Sequence, residues 1–369
     1  MTGLLTAVAS VLTFGVVIFV HELGHFLAAR RCGIRVEEFS IGMGPPLWHW
    51  ERNGTKYSVR LLPIGGYNLM TETEEDGPYD GEEDGAPPRP RPPRPPRQGI
   101  WPVVAAGQPV SEASVGQRFF VFAAGALMNF ALGFGILLVF LARQNAITSK
   151  IIYSFTDNAV SRQTGLAVND EILKVNGRYC FVAEDVLYEL QRAENYTADF
   201  TVLRDGKVTE LPNVRFGTTQ NADGATSMVL EFTVYGIAKT PRSLLRGAGN
   251  YFLYYARVII RSFVDLLRGR VSLNDLSGPV GIVSAIGQAV QYGLDDLLQL
   301  AALITINLGI FNLLPFPALD GGRLLFLVIE KLAGRPVPQN IQMAVNAAGM
   351  ALLMMLMVFT TFQDFTRLF

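Results

Sequence analysis

Met1 to Val20 is a run of twenty residues without a charge, and it is followed at once by His21-Glu22-Leu23-Gly24-His25. No other feature constrains the fold as tightly. A bilayer-crossing helix needs about 20 apolar residues, and the run supplies them. In hydrocarbon a charged side chain costs roughly 2.5–3.5 kcal/mol on insertion scales, so an acid and two imidazoles placed there need a compensating partner. The spacing H-E-x-x-H provides one. Positions four apart share one helix face, so His21 and His25 can direct two imidazoles at one metal ion. Glu22 then lies beside the ion, placed to accept a proton from the attacking water. The chain has three histidines, and two of them fall in this turn. The bland alternative is a chance match in an apolar helix, which the expense of unpaired polar groups in lipid disfavours.

The remaining composition agrees with several spans. The 369 residues are 50% hydrophobic with a mean hydropathy of +0.28, pointing to a membrane protein carrying one small soluble domain. A net charge of −1 gives no basis for nucleic-acid binding. Cys32 and Cys180 fall on opposite sides of the membrane in the topology below and lie outside any C-x-x-C pattern, so no redox or metal role is assigned. The N-terminus lacks the basic region and cleavage site of a secretory signal, and the first span is expected to be retained.

Residues 1–29 form the first span. From Leu4 to His21 is 17 residues, or about 25 Å of helix, so the metal would lie near the far edge of a layer about 30 Å thick. Arg30, Arg31 and Arg35 follow in a cluster, which by the positive-inside rule puts the N-terminus outside and the motif toward the cytoplasm. Residues 30–70 read as a β-sheet, with Arg52-Asn53-Gly54-Thr55 as a hairpin turn and Pro45-Pro46 and Pro63 bounding the strands. Gly65-Gly66-Tyr67 reads as a flexible or exposed edge. The sheet is either a small cytoplasmic one or one dipping toward the metal, whose free edge pairs with an extended substrate. Residues 71–114 read as a linker, acidic and then Pro/Arg-rich, acting as a spacer rather than a ligand for a Pro-recognising domain.

Residues 115–142 form the second span; Asn129 within it is read as bonding to a neighbouring helix. Residues 150–235 are a soluble α+β domain. Residues 236–293 are read as amphipathic surface helices, beginning at Thr240 as cap with Pro241 in the first position. There Arg242, Arg246, Arg257, Arg261 and Arg268 make a basic stripe opposite Leu245, Phe252, Tyr255, Ile259 and Phe263, suited to a membrane surface or to packing on the bundle, with the surface favoured. Residues 294–369 hold spans three, about Leu297 to Phe316 with Asp295 or Asp296 as cap, and four, about Ile341 to Phe362.

A catalytic zinc usually takes three protein ligands and leaves one position open. The candidates for the third are His49, Glu37, Glu38 and Asp320. Glu37 and Glu38 stand in a β-like stretch too close to His25, and His49 sits between two tryptophans that read as an interfacial strip. Spans one and three both run from outside to inside, so their ends reach one depth, and Pro315 and Pro317 free backbone just before Asp320. Asp320 is the preferred third ligand; a mere helix cap is the alternative.

These motifs together resemble the site-2 protease family of intramembrane zinc metalloproteases, in its bacterial form with a single PDZ domain. The residues that carry the resemblance are His21-Glu22-x-x-His25, Asn312-x-x-Pro315-x-Pro317 before Leu319-Asp320-Gly321, Ser277-Gly278-Pro279-Val280-Gly281-Ile282, and a PDZ-like core from Gly165 to Gly177. That core has Asn169 where Gly is usual, and Asn also tolerates left-handed dihedrals. The stretch Gly125 to Asn129 has Ala where the family often has Gly-Pro, and the insertion after Thr71 is longer than expected. The resemblance implies Zn2+ as cofactor and a multi-pass α-helical protein of about four spans in the bacterial cytoplasmic membrane, its N-terminus and PDZ-like domain outside. It implies cleavage of single-span membrane proteins already trimmed on their outer side, such as anti-sigma factors or signal-peptide remnants. Gly65, Gly66 and Tyr67 would receive the unwound substrate, and Asn312 and Pro317 would contact it. Asn312 either steadies the oxyanion or makes a structural bond between helices. The alternative from another class is a non-catalytic, PDZ-bearing membrane adaptor.

Overall fold

The computed structural model describes residues 2–71, 107–220, 226–272 and 276–368. The chain folds as two compact units, residues 1–133 with 265–369, and residues 134–264. Most of the expected linker, 72–106, lies outside the described residues.

The first unit opens with α1 (Thr2–Arg31). The helix stops at Gly33, which takes φ +72° while Ile34 N–H reaches back to Ala29 O at 2.9 Å, a left-handed C-terminal cap. The chain then forms β1 (Val36–Arg52) and β2 (Thr55–Met70). Asn53 and Gly54 both have positive φ, the signature of the tight hairpin turn expected there. Residues 38–41 pair with 66–69 on one side and 56–59 on the other, so four segments lie side by side in the order 46–52, 55–60, 36–41, 66–70. The prolines do not bound the strands as expected. Both strands run on through Pro45, Pro46 and Pro63 because the register slips between Met43 and Pro46 and between Leu62 and Gly66. Pro45 and Pro63 fall outside the paired register at these slips, and Pro46 stands opposite Arg60 next to one. A missing N–H is tolerated at such irregularities. Among the described residues, segment 66–70 is an edge of this sheet.

Among the described residues, four helices are long and apolar enough to cross a membrane: α1, α2 (Val115–Arg143), α7 (Leu294–Leu313) and α9 (Gln339–Leu368). Span three ends at Leu313, short of the expected Phe316, because Leu314 to Leu319 turn before α8 (Asp320–Ala333) begins. Its N-cap is Gly293, with Asp295 and Asp296 inside the first turn rather than at the cap. Between residues 278 and 293, α6 (Pro279–Tyr292) packs against α1, α7 and α9, so this part of the expected surface region is built into the bundle. Its mostly apolar sequence and close-fitting Gly287, where a Cβ would stand 2.9 Å from Thr6 Cγ2, explain the difference. Its N-terminal N–H groups are answered by a buried carboxylate, Gly278 N–H donating to Asp364 Oδ1 at 3.1 Å and Gly281 N–H to Oδ2 at 2.7 Å.

The second unit is an antiparallel sheet with a helix. Its strands are β3 (Ile147–Phe155), β4 (Glu171–Val175), β5 (Arg178–Tyr179), β6 (Thr197–Arg204), β7 (Lys207–Arg215), a small pair β8 (Thr218–Gln220) and β9 (Thr226–Met228), and β10 (Phe232–Ile237). The order is β10-β3-β4-β6-β7, with β5 on β4. Leu190 and Val186 of α4 (Ala183–Gln191; the shorter α3 is Val160–Gln163) cover a core of Ile152, Ile172, Phe200 and Val202. Asn169 takes φ +70°, the left-handed conformation expected at that position. Burial pushes the Cys180 thiol up to about 11, which leaves it an inert core residue.

Two arginines of the basic stripe prove to be otherwise engaged. On α5 (Pro241–Leu267), Arg257 pairs with Asp185 and Arg261 with Glu189, both carboxylates of α4, and Tyr251 OH donates to Glu184 Oε1 at 2.6 Å. Tyr255 and Ile259 of the expected apolar face are buried. This part of α5 is therefore fastened to the sheet domain instead of presenting a free cationic face. Buried carboxylates on α4 need cations, and this face of α5 supplies them.

Candidate metal centre

His21 and His25 lie one turn apart on α1, both buried, with their rings edge-to-face at a centroid separation of 4.8 Å. Their Nε2 atoms stand 3.2 Å apart, and each is 3.1 Å from Oδ2 of Asp320. Residue 320 is 295 positions along the chain from His25, and three donor atoms nonetheless converge on one point. A tetrahedral zinc with ligand bonds of about 2.0–2.1 Å has its ligands about 3.3 Å from one another. The separations here match that edge length, and two imidazoles with one carboxylate are a ligand set that zinc accepts. The residues fit the ion.

Local structure explains how the carboxylate arrives. Asp320 is the first residue of α8, reached through a loop in which Ala318 takes φ +71°. An L-residue in that region costs roughly 1–2 kcal/mol, and Ala318 N–H is held there by Asn346 Oδ1 at 3.2 Å. A Cβ on Gly321 would stand 2.5 Å from the carbonyl carbon of Leu314, so only glycine lets the loop fold back this closely. Pro317 is packed against Gly349 of α9, where a Cβ would meet its carbonyl carbon at 2.8 Å.

Helix α2 forms the wall behind the imidazoles. Nδ1–H of His25 donates to Val121 O at 2.8 Å, which leaves Nε2 with its lone pair toward the cluster. A Cβ on Gly125 would lie 2.7 Å from His21 Cε1 and 2.8 Å from His25 Cδ2. Asn129, one turn on, lies 3.3 Å from His21 Nδ1 through its Nδ2, and its backbone carbonyl accepts from Thr305 Oγ1 of α7 at 3.2 Å. Asn129 thus bonds to neighbouring helices as expected, but one partner is a metal-ligand candidate. Sequence reading passed over Val121 and Gly125; the four-residue spacing of Gly125 and Asn129 was the signal available for them.

The edge segment of the sheet reaches the same place. A Cβ on Gly66 would be 3.3 Å from Glu22 Cγ and 3.9 Å from Ile18 Cγ2. Gly65 takes φ +85° against the side chain of Met43, and Tyr67 OH receives a hydrogen bond from Arg60. Asn312 is buried in the last turn of α7. The other ligand candidates lie elsewhere: Glu37 accepts from Thr71, Glu38 from Ser58 and Arg60, and His49 is exposed in the hairpin, its backbone in register with Ser58.

Residues 9–356 match the model of peptidase family M50. The chain belongs to this family, the site-2 proteases. It is 31% identical to the zinc metalloprotease RasP of Shouchella clausii, over 99% of each chain. It is 30% identical to the regulator of sigma-W protease RasP of Bacillus subtilis, again over 99% of both, and 30% identical to RasP of Geobacillus kaustophilus over 98% of both.

Proposed function

We propose that this chain, a zinc metalloprotease of the site-2 type, cleaves transmembrane segments of single-span proteins already trimmed on their outer side. The observation that carries the reading is the meeting of His21, His25 and Asp320, 3.1–3.2 Å apart, beside an edge strand and Glu22. His21, His25 and Asp320 hold the ion. When bound, zinc supplies a Lewis acid and lowers the pKa of a water toward about 7. Glu22 accepts the proton that this water loses on attacking the scissile carbonyl and passes it to the departing nitrogen. A helical substrate hides its amides, so it must first be drawn out as a strand. Gly65-Gly66-Tyr67 receives that strand by edge pairing, delivering the amide to Glu22, and Asn312 and Pro317 contact it.

One relative is named for a sigma-factor regulator, which supports anti-sigma factors as a substrate class, with signal-peptide remnants as the other. The sheet domain is a PDZ-like filter or docking module outside the bacterial cytoplasmic membrane, on the same side as the N-terminus. The helices meet membrane lipid directly. Co-expression with candidate single-span proteins tests the proposal: the parent releases a cleaved fragment, whereas Glu22→Gln keeps zinc and cleaves nothing. Full turnover by purified Glu22→Gln protein refutes the mechanism.

A further inference from the structure

The two imidazoles are anchored by different kinds of group. Val121 O behind His25 is an acceptor only, so it dictates that Nδ1 carries the hydrogen and Nε2 the lone pair. Behind His21 stands the amide of Asn129, which can either donate or accept. With Nδ2 toward the ring, the amide donates to His21 Nδ1, and the ring hydrogen must sit on Nε2. That is the atom 3.1 Å from Asp320 Oδ2, and a protonated Nε2 cannot ligate. Asn129 is completely buried, and its Oδ1 has no partner in this orientation. Turning the amide over by half a turn brings Oδ1 to Nδ1–H and frees the Nε2 lone pair. The imidazole decides between the two: once Nε2 ligates, Nδ1–H needs an acceptor, and Asn129 is the group 3.3 Å from it.

We propose that Asn129 is a positioning residue for zinc, selecting through its side-chain oxygen the tautomer of His21 that can bind the ion. The surrounding contacts keep it in place. Its own carbonyl is fastened to α7 by Thr305, and Gly125 and Gly133, one turn to either side, let α2 approach closely: a Cβ on Gly133 would lie 2.6 Å from Ile306 Cγ1. This inference rests on the ligand assignment above, and its test separates the two.

Zinc affinity is measured by competition with a chromophoric chelator on the detergent-solubilised full chain. The forms compared are the parent, Asn129→Leu, Asn129→Asp and His25→Ala. Losing an acceptor behind a zinc-bound histidine typically weakens binding 10- to 100-fold, and that loss is expected for Asn129→Leu. Asn129→Asp, which can only accept, is expected to bind within about threefold of the parent or more tightly, as carboxylate–histidine–zinc arrangements do. If Leu lowers the yield of folded protein, Asn129→Ser keeps a hydroxyl able to accept at longer reach, and a loss of at least about threefold is expected. Parent-like affinity in Asn129→Leu (or in Asn129→Ser, where it stands in), or equal losses in Leu and Asp, overturns the proposal. Retention of zinc by His25→Ala overturns the ligand assignment instead.

Discussion

In the sheet unit, buried carboxylates face donors that the protein itself provides. Asp170, fully buried, takes two hydrogen bonds of 2.7 Å from Arg204; Asp185 and Glu189 meet Arg257 and Arg261; Glu231 accepts from the N–H groups of Val160, Ser161 and Gly217. In the helical unit Asp320 faces two imidazoles whose Nε2 atoms also face each other. A carboxylate answered by a guanidinium or by amides is architecture, since its charge is balanced within the fold. A carboxylate converging with two lone-pair donors forms a set that a cation completes. Both arrangements are polar and buried, and the sign of the partner tells them apart.

The sharpest way to break this contrast is Gly125→Ala. Its methyl would be driven against both rings, and zinc affinity is expected to fall by about 100-fold while the sheet unit keeps its thermal unfolding midpoint. Parent-like zinc binding would mean that the ring positions are not set by α2. The complementary change is Arg204→Ala, which strands Asp170 without its cation. It is expected to remove about 3 kcal/mol from the sheet unit and leave zinc content unchanged, read by hydrogen exchange across residues 147–237 alongside metal analysis. A loss confined to a few tenths would reduce that pair to decoration.

The smallest effect concerns acid. Burial by itself would raise the Glu231 carboxyl, but hydrogen bonds from Ser161, Val160 and Gly217 outweigh it and hold the group below its ordinary value of 4.5. A depressed carboxyl stabilises the fold fully above the ordinary value, and that contribution disappears as pH falls through the lower, folded-state value. The sheet unit should therefore lose stability as pH falls below about 4.5, and Glu231→Gln should flatten that dependence, as followed by unfolding between pH 7 and pH 3. An unchanged slope in the variant would assign the acid sensitivity to another group.

Where sequence reading succeeded, the physics was local. Asn53-Gly54 needs only its own dihedrals to make the hairpin turn, and Asn169 needs only its tolerance of positive φ. Where it failed, the deciding partner was distant. The arginines of α5 formed a visible stripe, but the acids that meet Arg257 and Arg261 lie 72 positions earlier on α4. Pro45, Pro46 and Pro63 looked like strand ends because a bulge is a property of two strands in register. Asn129 was legible as a polar contact between helices, without any indication that the contact was an imidazole.

By itself, the chain order pointed to four candidate spans, the H-E-x-x-H face and Asp320 as the preferred third ligand. Hydropathy and helical periodicity act over a few turns and need no partner to be read. Only the folded arrangement decided that Val121, Gly125 and Asn129 stand behind the two rings, and that Gly66 lies against Glu22. Those are distances of 2.7–3.3 Å between segments far apart in sequence, and close packing alone sets them.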